Sequence, residues 1–197
     1  MKIKKLISAL VLSSMLVGLS GCNITDFSAE NLLRPPKAVG DEAEIEQLIA
    51  KTADSGYTLK YPKNGKFRSA IIMTDLDGND SNEAVAFFRN SAETSSVHML
   101  VMYSKDNSWE IASDNIFETT DIDSVDFADL TGNGKAEIIV NSTTYTPNVG
   151  KLSCYSYSEG KTNEVGSGQS CSSFVTGDFD NDGTSEIMSL VLYTTEN

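Results

Sequence analysis

Short apolar runs and acidic loops follow one another through most of the chain after residue 67. Runs rich in Val, Ile and aromatic residues, bounded by Asp, Asn, Ser and Gly, are typical of β-strands separated by turns. Such runs lie before and after three acidic loops, at 69–74, 84–88, 123–128, 138–140, 173–177 and 187–192, and two more lie between the first loop and the second, at 97–104 and 109–112. The pattern predicts an all-β fold.

The three acidic loops share one nine-residue pattern and span 75–83, 129–137 and 178–186, so they begin 54 and 49 residues apart. The predicted repeat is four strands with an acidic loop between the first strand and the second. Short strands that recur about every 50 residues are typical of the blades of a β-propeller. A β-sandwich that reuses one loop is the alternative, but it gives no reason for the loop to recur at the same place among its strands. We therefore expect a partial β-propeller of about two and a half four-stranded blades over residues 67–197.

A helix is predicted before the first blade. Ile45, Leu48 and Ile49 fall on one face of the segment 41–53, which is the spacing of an amphipathic helix. We expect this short helix to pack against the edge of the blade, and residues 41–66 to form the helix and the lead-in to the propeller.

The acidic loops carry oxygen-bearing side chains at positions one, three, five and nine. Together with the main-chain carbonyl of position seven, these oxygens converge on one point in a tight turn, which suits a hard cation such as Ca²⁺. The predicted ligands are Asp75, Asp77, Asn79, Ser81 and Glu83 in the first loop, Asp129, Thr131, Asn133, Lys135 and Glu137 in the second, and Asp178, Asp180, Asp182, Thr184 and Glu186 in the third.

The number of carboxylates differs among the loops and ranks their expected attraction for a divalent ion. The third loop has four, the first has three and the second has two, so the third ranks above the first and the first above the second. Asp80 also stands at position six of the first loop, where a left-handed backbone favours glycine. A simpler interpretation remains open, in which Asp, Asn and Gly merely form turns.

The spacing Asp-x-Asp-x-Asp-Gly-x-x-Asp/Glu between strands resembles the calcium loops of FG-GAP and VCBS-type repeats. This resemblance covers residues 69–193 and implies a β-propeller braced by structural Ca²⁺, as in integrin α-chains and many bacterial surface proteins. Neither the Phe-Gly nor the Gly-Ala-Pro signature occurs, so the VCBS-like branch is the closer comparison. The loops differ from EF-hands, whose bidentate glutamate stands at position twelve and whose flanking elements are helices.

The N-terminus has the layout of an export signal: three lysines within the first five residues, then an apolar stretch from Leu6 to Leu19. Leu19-Ser20-Gly21-Cys22 resembles the bacterial lipobox, which implies a signal peptide over 1–21 and acylation of Cys22, with palmitate or a similar chain, as the first mature residue. Fourteen positions are too few for a membrane-spanning helix. Residues 22–40, with two consecutive prolines, are expected to form the lipidated N-terminus and a linker.

The chain is strongly acidic once the signal peptide is removed. Residues 1–21 hold three lysines and no acids, so the remainder has 12 basic and 28 acidic residues and a net charge of −16. Such a surface excludes nucleic acid as a partner and suits a cation-binding protein outside the cytoplasm. Cys154 and Cys171 lie 17 positions apart, and whether they form a disulfide is left open.

No catalytic motif stands out. His98 is the one histidine, in a predicted strand, and the chain has no nucleophile elbow, phosphate loop or His-rich metal cluster. We expect a non-enzymatic lipoprotein, anchored on the extracytoplasmic face of the cell membrane, that binds or scaffolds an extracellular protein or glycan at the cell surface. The alternatives are an accessory or catalytic fragment of a cell-surface hydrolase and a purely structural envelope lipoprotein.

The number of blades is small for a closed propeller, which typically has about four to eight. Either the sequence belongs to a longer propeller or its blades close by association with another chain. We favour the longer propeller, because an open one leaves strand edges unpaired.

Overall fold

The computed structural model describes residues 40–53, 56–146 and 149–192. The predicted signal peptide, Cys22 and all but the last residue of the predicted linker lie outside these ranges. The described part contains one helix, α1 (Asp41–Ala53), and strands that are numbered in chain order. The strands are β1 (Tyr57–Leu59), β2 (Ile71–Thr74), β3 (Glu83–Asn90), β4 (Val97–Lys105), β5 (Ser108–Phe117), β6 (Ile122–Ala128), β7 (Glu137–Thr143), β8 (Gly150–Ser158), β9 (Lys161–Cys171), β10 (Ser173–Gly177) and β11 (Glu186–Leu190).

The strands form three antiparallel sheets. In sheet 1, β3, β4 and β5 pair in sequence order, while β2 pairs with the first half of β3 and β1 with its last three residues. Sheet 2 is a meander in which β6, β7, β8 and β9 pair in order. Sheet 3 is the hairpin of β10 and β11. The predicted all-β class is confirmed, with every sheet antiparallel.

The helix and most of the predicted strands lie where the sequence placed them, and α1 and β10 have the predicted bounds. The pattern missed β1, which has only three residues, and also β8 and β9, the last two strands of sheet 2. Residues of β9 before Cys171 are mostly exposed, so Ser, Gly and charged residues replace an alternating apolar pattern there. β5 is also longer than predicted, because Ser113, Asp114 and Asn115 interrupt the apolar pattern in its second half.

Sheet 1 is covered on both faces, which explains the uninterrupted apolar runs of β3 and β4. On one face, Ile45 and Ile49 of α1 pack against Phe88, Leu100 and Met102. The opposite face packs against sheet 2 and contains the alternate residues, including Val85, Phe87, Val97, Met99, Val101, Ile138 and Val140. A strand buried on both faces has no polar alternation.

Sheet 2 packs in turn against sheet 3. Ile139, Leu152 and Cys171 are buried, and Phe174 and Ile187 of the hairpin lie against them. The layers therefore follow one another in chain order as α1, sheet 1, sheet 2 and sheet 3. No helix in the described ranges is long and apolar enough to cross a membrane.

Cys154 and Cys171, the two cysteines within the described residues, are free thiols. Gly150 of β8 pairs with Cys171 of β9, whereas Cys154 lies four residues further along β8. Four residues of strand correspond to about 13 Å, well beyond the Cα separation of a disulfide, roughly 7 Å at most. Burial raises the pKa of both thiols, more than the nearby acids do, so both are poor nucleophiles.

We expect the packing of α1 to contribute substantially to stability. Ile49 is completely buried between the helix and sheet 1. Ile49→Ala should lower the free energy of unfolding by about 2–5 kcal/mol, because it removes buried methyl groups and leaves a cavity. Urea denaturation measures the loss. The matched control is Gln47→Ala on the exposed face of α1, and an equal effect of the two substitutions would contradict this packing.

Candidate metal-binding loops

The three acidic loops occupy equivalent places in the three sheets. Each joins the first strand of its repeat to the second: β2 to β3, β6 to β7 and β10 to β11. We call them loop 1 (75–83), loop 2 (129–137) and loop 3 (178–186). Because successive strands are antiparallel and the loops contact one another, all three lie at the same end of the sheets.

The loops share one backbone conformation, in which positions four and six both have left-handed φ. Position six is left-handed as predicted, and Asp80 adopts φ 65° there. The left-handed φ of position four was not predicted. The sequence did indicate it, because Gly, Gly and Asn occupy this position in the three loops and these residues tolerate left-handed φ best. The remaining residues of this set are Gly78, Gly132, Gly134, Asn181 and Gly183, with φ between 63° and 91°.

The first aspartate of each loop collects backbone N–H groups. Asp75 accepts hydrogen bonds from the N–H groups of Gly78 at 2.8 Å and Asp80 at 2.9 Å. Asp129 likewise accepts from Gly132 and Gly134, both at 2.7 Å. Asp178 binds the N–H groups of positions five and six at 3.1 and 3.0 Å. This carboxylate therefore holds the turn together even without an ion.

The glutamate at position nine links the end of each loop to its start by a hydrogen bond. Its Oε2 atom accepts the N–H of position two at 2.8, 2.8 and 2.9 Å in loops 1, 2 and 3. Glu83 and Glu137 are only 3 % and 2 % exposed. The position-five side chain accepts the N–H of position seven in all three loops, from Ser81, Lys135 and Thr184.

Carboxylates gather in two of the three loops closely enough to hold a metal ion. In loop 3, one carboxylate oxygen from each of four residues lies within 4.8 Å of the others: Asp178, Asp180, Asp182 and Glu186. In loop 1 the same holds for Asp75, Asp77 and Glu83. Loop 2 brings only two carboxylates, with Thr131 and Asn133 at the intervening positions. The order follows the predicted ranking of the loops by carboxylate number.

The electrostatics of loop 1 fit a cation. Burial, followed by repulsion from Asp77 and Asp75, raises the pKa of Glu83 above its ordinary value despite the N–H of Leu76. Asp75 behaves oppositely: desolvation is the largest single influence on it, but the hydrogen bonds from several loop N–H groups together outweigh it and lower its pKa. Asp77 Oδ1 is buried and has no hydrogen-bond partner. An ion among these oxygens would satisfy Asp77 and relieve the repulsion.

Neighbouring loops are in direct contact, which the sequence did not reveal. The N–H of Ala136 in loop 2 donates to the carbonyl of Leu76 in loop 1 at 3.0 Å, and the N–H of Ser185 in loop 3 donates to the carbonyl of Asp129 at 2.8 Å. A Cβ atom on Gly78 would lie 2.6 Å from the carbonyl oxygen of Gly134. The loops therefore form a continuous row.

Aromatic residues can stack on a ligand only where their rings are exposed. Trp109, Tyr155 and Tyr157 are 9 %, 7 % and 4 % exposed, so they contribute to packing. Tyr145, in contrast, is 90 % exposed.

Comparison of the chain with protein-family models, with curated proteins and with solved structures found no match.

Contact between loops 1 and 2 can be tested with two glycines of nearly equal φ. Gly134→Ala places a side chain in open space, so only left-handed strain, about 1–2 kcal/mol, should reduce the free energy of unfolding. Gly78→Ala adds a clash with the Gly134 carbonyl and should cost more. Chemical denaturation in chelator compares the two, and equal losses would show that the loops do not touch.

Proposed function

We propose that the chain is an extracytoplasmic lipoprotein whose repeats form part of a calcium-braced β-propeller of the FG-GAP/VCBS-like type, and that it binds or scaffolds a protein or glycan without catalysing a reaction. The observation that carries the calcium assignment is the buried, unpartnered Asp77 Oδ1 within the carboxylate cluster of loop 1. A simple turn needs no such group, since turns are closed by local hydrogen bonds. A divalent ion needs several converging oxygens.

The fold supports the propeller proposal through repetition. Sheets 1 and 2 each contain four consecutive strands with an acidic loop between the first and second, and sheet 3 begins in the same way. Blades of a propeller pack face to face in chain order. The layered sheets have this order, with an apolar core between each neighbouring pair.

Bracing is the role that the position of the loops supports. Residues that bind the ion belong to the connection between two paired strands, and loops 1 and 2 also share a backbone hydrogen bond. An ion held there stabilises the folded state, because the unfolded chain does not bring its ligands together. This is a structural use of Ca²⁺, with Asp180 and Asp182 adding two further carboxylates in loop 3.

A candidate binding surface lies at the end of the sheets opposite the acidic loops. A cavity of about 390 Å³ opens there, where β6, β7 and β10 begin or end. Its lining is largely amide and hydroxyl groups with one lysine and one carboxylate, including Lys63, Asn64, Asp123, Asn141, Thr143 and Ser172. Such groups form directional hydrogen bonds with the hydroxyls of a glycan or the backbone of a peptide.

Calcium should raise the melting temperature of the purified full-length protein in detergent. Saturation a hundredfold above Kd stabilises a folded protein by about 2.7 kcal/mol, and each kcal/mol raises Tm by about 2–4 °C for a chain of this length. Asp77→Asn and Asp180→Asn should each reduce the increase. A calorimetric scan in chelator and in millimolar Ca²⁺ measures it.

The same variants make a sharper test in chelator. Without the ion, Asp77→Asn removes like-charge repulsion, so its Tm should equal or exceed that of the unchanged protein. Asp106→Asn is the matched control, since Asp106 is exposed in the β4–β5 turn with positive φ and belongs to no cluster. An unchanged Tm on adding Ca²⁺ to the cooperatively folded protein would refute the calcium assignment.

Lipid anchoring makes a separate prediction. In cells fed labelled palmitate, the protein should incorporate the label and sediment with membranes. Cys22→Ser should abolish both, because acylation requires that thiol and two or more chains give durable anchoring. Cys154→Ser serves as the control, since this cysteine lies in β8 within the folded domain. Membrane association of the Cys22→Ser protein equal to that of the unchanged protein would rule out the lipid anchor.

A further inference from the structure

The imidazole of His98 is enclosed between two carboxylates. The side chain, at the start of β4, is only 4 % exposed. Nδ1 lies 2.9 Å from both carboxylate oxygens of Asp114 on β5, and Nε2 lies 3.1 Å from Oε2 of Glu93 in the β3–β4 connection. Asn90, the last residue of β3, also approaches Nε2 at 3.3 Å. The ring thus joins three consecutive elements of sheet 1.

The surroundings favour a positive ring. Phe88 stacks on the imidazole with centroids 4.8 Å apart and planes inclined by 21°, and an aromatic face attracts a cation. Glu93 and Asp114 are the charged groups that face the ring. β3 contributes Phe88 and the neutral Asn90, and the ring of Tyr57 on β1 packs edge-on against the Phe88 ring.

Two protonation states of the ring imply two different partners for Nε2. With Nδ1–H donating to Asp114, a protonated Nε2 donates to Glu93. A neutral ring instead carries a lone pair at Nε2, which repels the Glu93 carboxylate and can accept only from the amide Nδ2 of Asn90. Asn90 Nδ2 already lies 3.2 Å from Glu93 Oε1. Loss of one proton therefore breaks the direct link between the strand and the connection.

We propose that His98 is a proton-operated clasp, which as an imidazolium holds the β3–β4 connection (residues 91–96) against sheet 1 and as a neutral ring releases it. Glu93 is the mobile side of the clasp, because it lies on the connection and is 40 % exposed. Asp114 is the fixed side, because it belongs to a paired strand. Ser96 also donates to Glu93, so the carboxylate organises the whole connection.

The proton affinities agree with this geometry. Burial opposes protonation of His98, but the hydrogen bonds to Asp114 and Glu93 outweigh it and raise its pKa above the ordinary value. Bonds from Ser96, His98 and Asn90 lower the pKa of Glu93 to about 2, so Glu93 stays ionised. Because the pKa of His98 is higher in the folded state than in the unfolded state, protonated His98 stabilises the folded protein. This contribution to the free energy of unfolding is complete below pH 6.5, and it is lost as the pH rises through the folded-state pKa.

The clasp can be measured directly because His98 is the one histidine of the chain. In the full-length protein with ¹³C-labelled histidine, the ring C–H resonances should titrate with a midpoint above 6.5. Glu93→Gln should lower the midpoint by about one unit, a tenfold fall in proton affinity. Glu118→Gln, an exposed acid just beyond β5, is the matched control and should change it little. A midpoint at or below 6.5, or one that Glu93→Gln leaves unchanged, would overturn the proposal.

Release of the connection has its own readout. Amide hydrogen exchange across residues 93–96, corrected for base catalysis, should accelerate severalfold as the pH passes the His98 midpoint. In Glu93→Gln the exchange should be fast at every pH, while amides of β7 in sheet 2 should not respond. Exchange at 93–96 that is independent of the His98 titration would show that the ring titrates without operating a clasp.

Discussion

A backbone that turns twice through left-handed conformations around one aspartate is the constraint on which the repeats depend. The turn aims several N–H groups inward, and the first carboxylate of each loop accepts them. These side-chain-to-backbone bonds close the turn locally, so this acid stabilises the turn even in an ion-free loop. In loops 1 and 2, the buried glutamate at position nine is the first residue of the second strand. Its hydrogen bond to the N–H of position two therefore links the second strand to the start of the loop, where the first strand ends.

The concentration of carboxylates inside the turn also gives loops 1 and 3 the ligands to hold a metal ion. The acids at positions one and nine of loop 1, Asp75 and Glu83, already have backbone partners, whereas Asp77 at position three has none on its Oδ1 atom. Loop 2 illustrates the converse, because Thr131 stands at position three and only two carboxylates remain. Its turn forms equally well. Folding of the turn and attraction of an ion are thus separable properties of one motif, carried by different residues.

Much of this was accessible from the sequence, and the limits have physical causes. The loops, α1 and the strands that flank the loops were predictable because glycine, acids and apolar residues mark turns and buried faces locally. β9 was not, since a strand exposed on most of its length needs no apolar alternation. Contact between Gly78 and the Gly134 carbonyl joins residues 56 positions apart, and the partners of His98 depend on the register of β3, β4 and β5. No local pattern encodes either.

If both proposals hold, sheet 1 has a cation at each end: Ca²⁺ in loop 1 and the imidazolium of His98. The two cations respond oppositely to pH. β3 begins at Glu83 in loop 1 and ends at Asn90 beside His98, so one strand joins the two sites. Metal ligands must be deprotonated, so acid weakens the calcium end. Alkali removes the proton from the other end and leaves Glu93 and Asp114 without their counter-charge. Sheet 1 is then most rigid in the interval where the loop acids are ionised and His98 is still protonated, an interval set by the raised pKa of one buried ring.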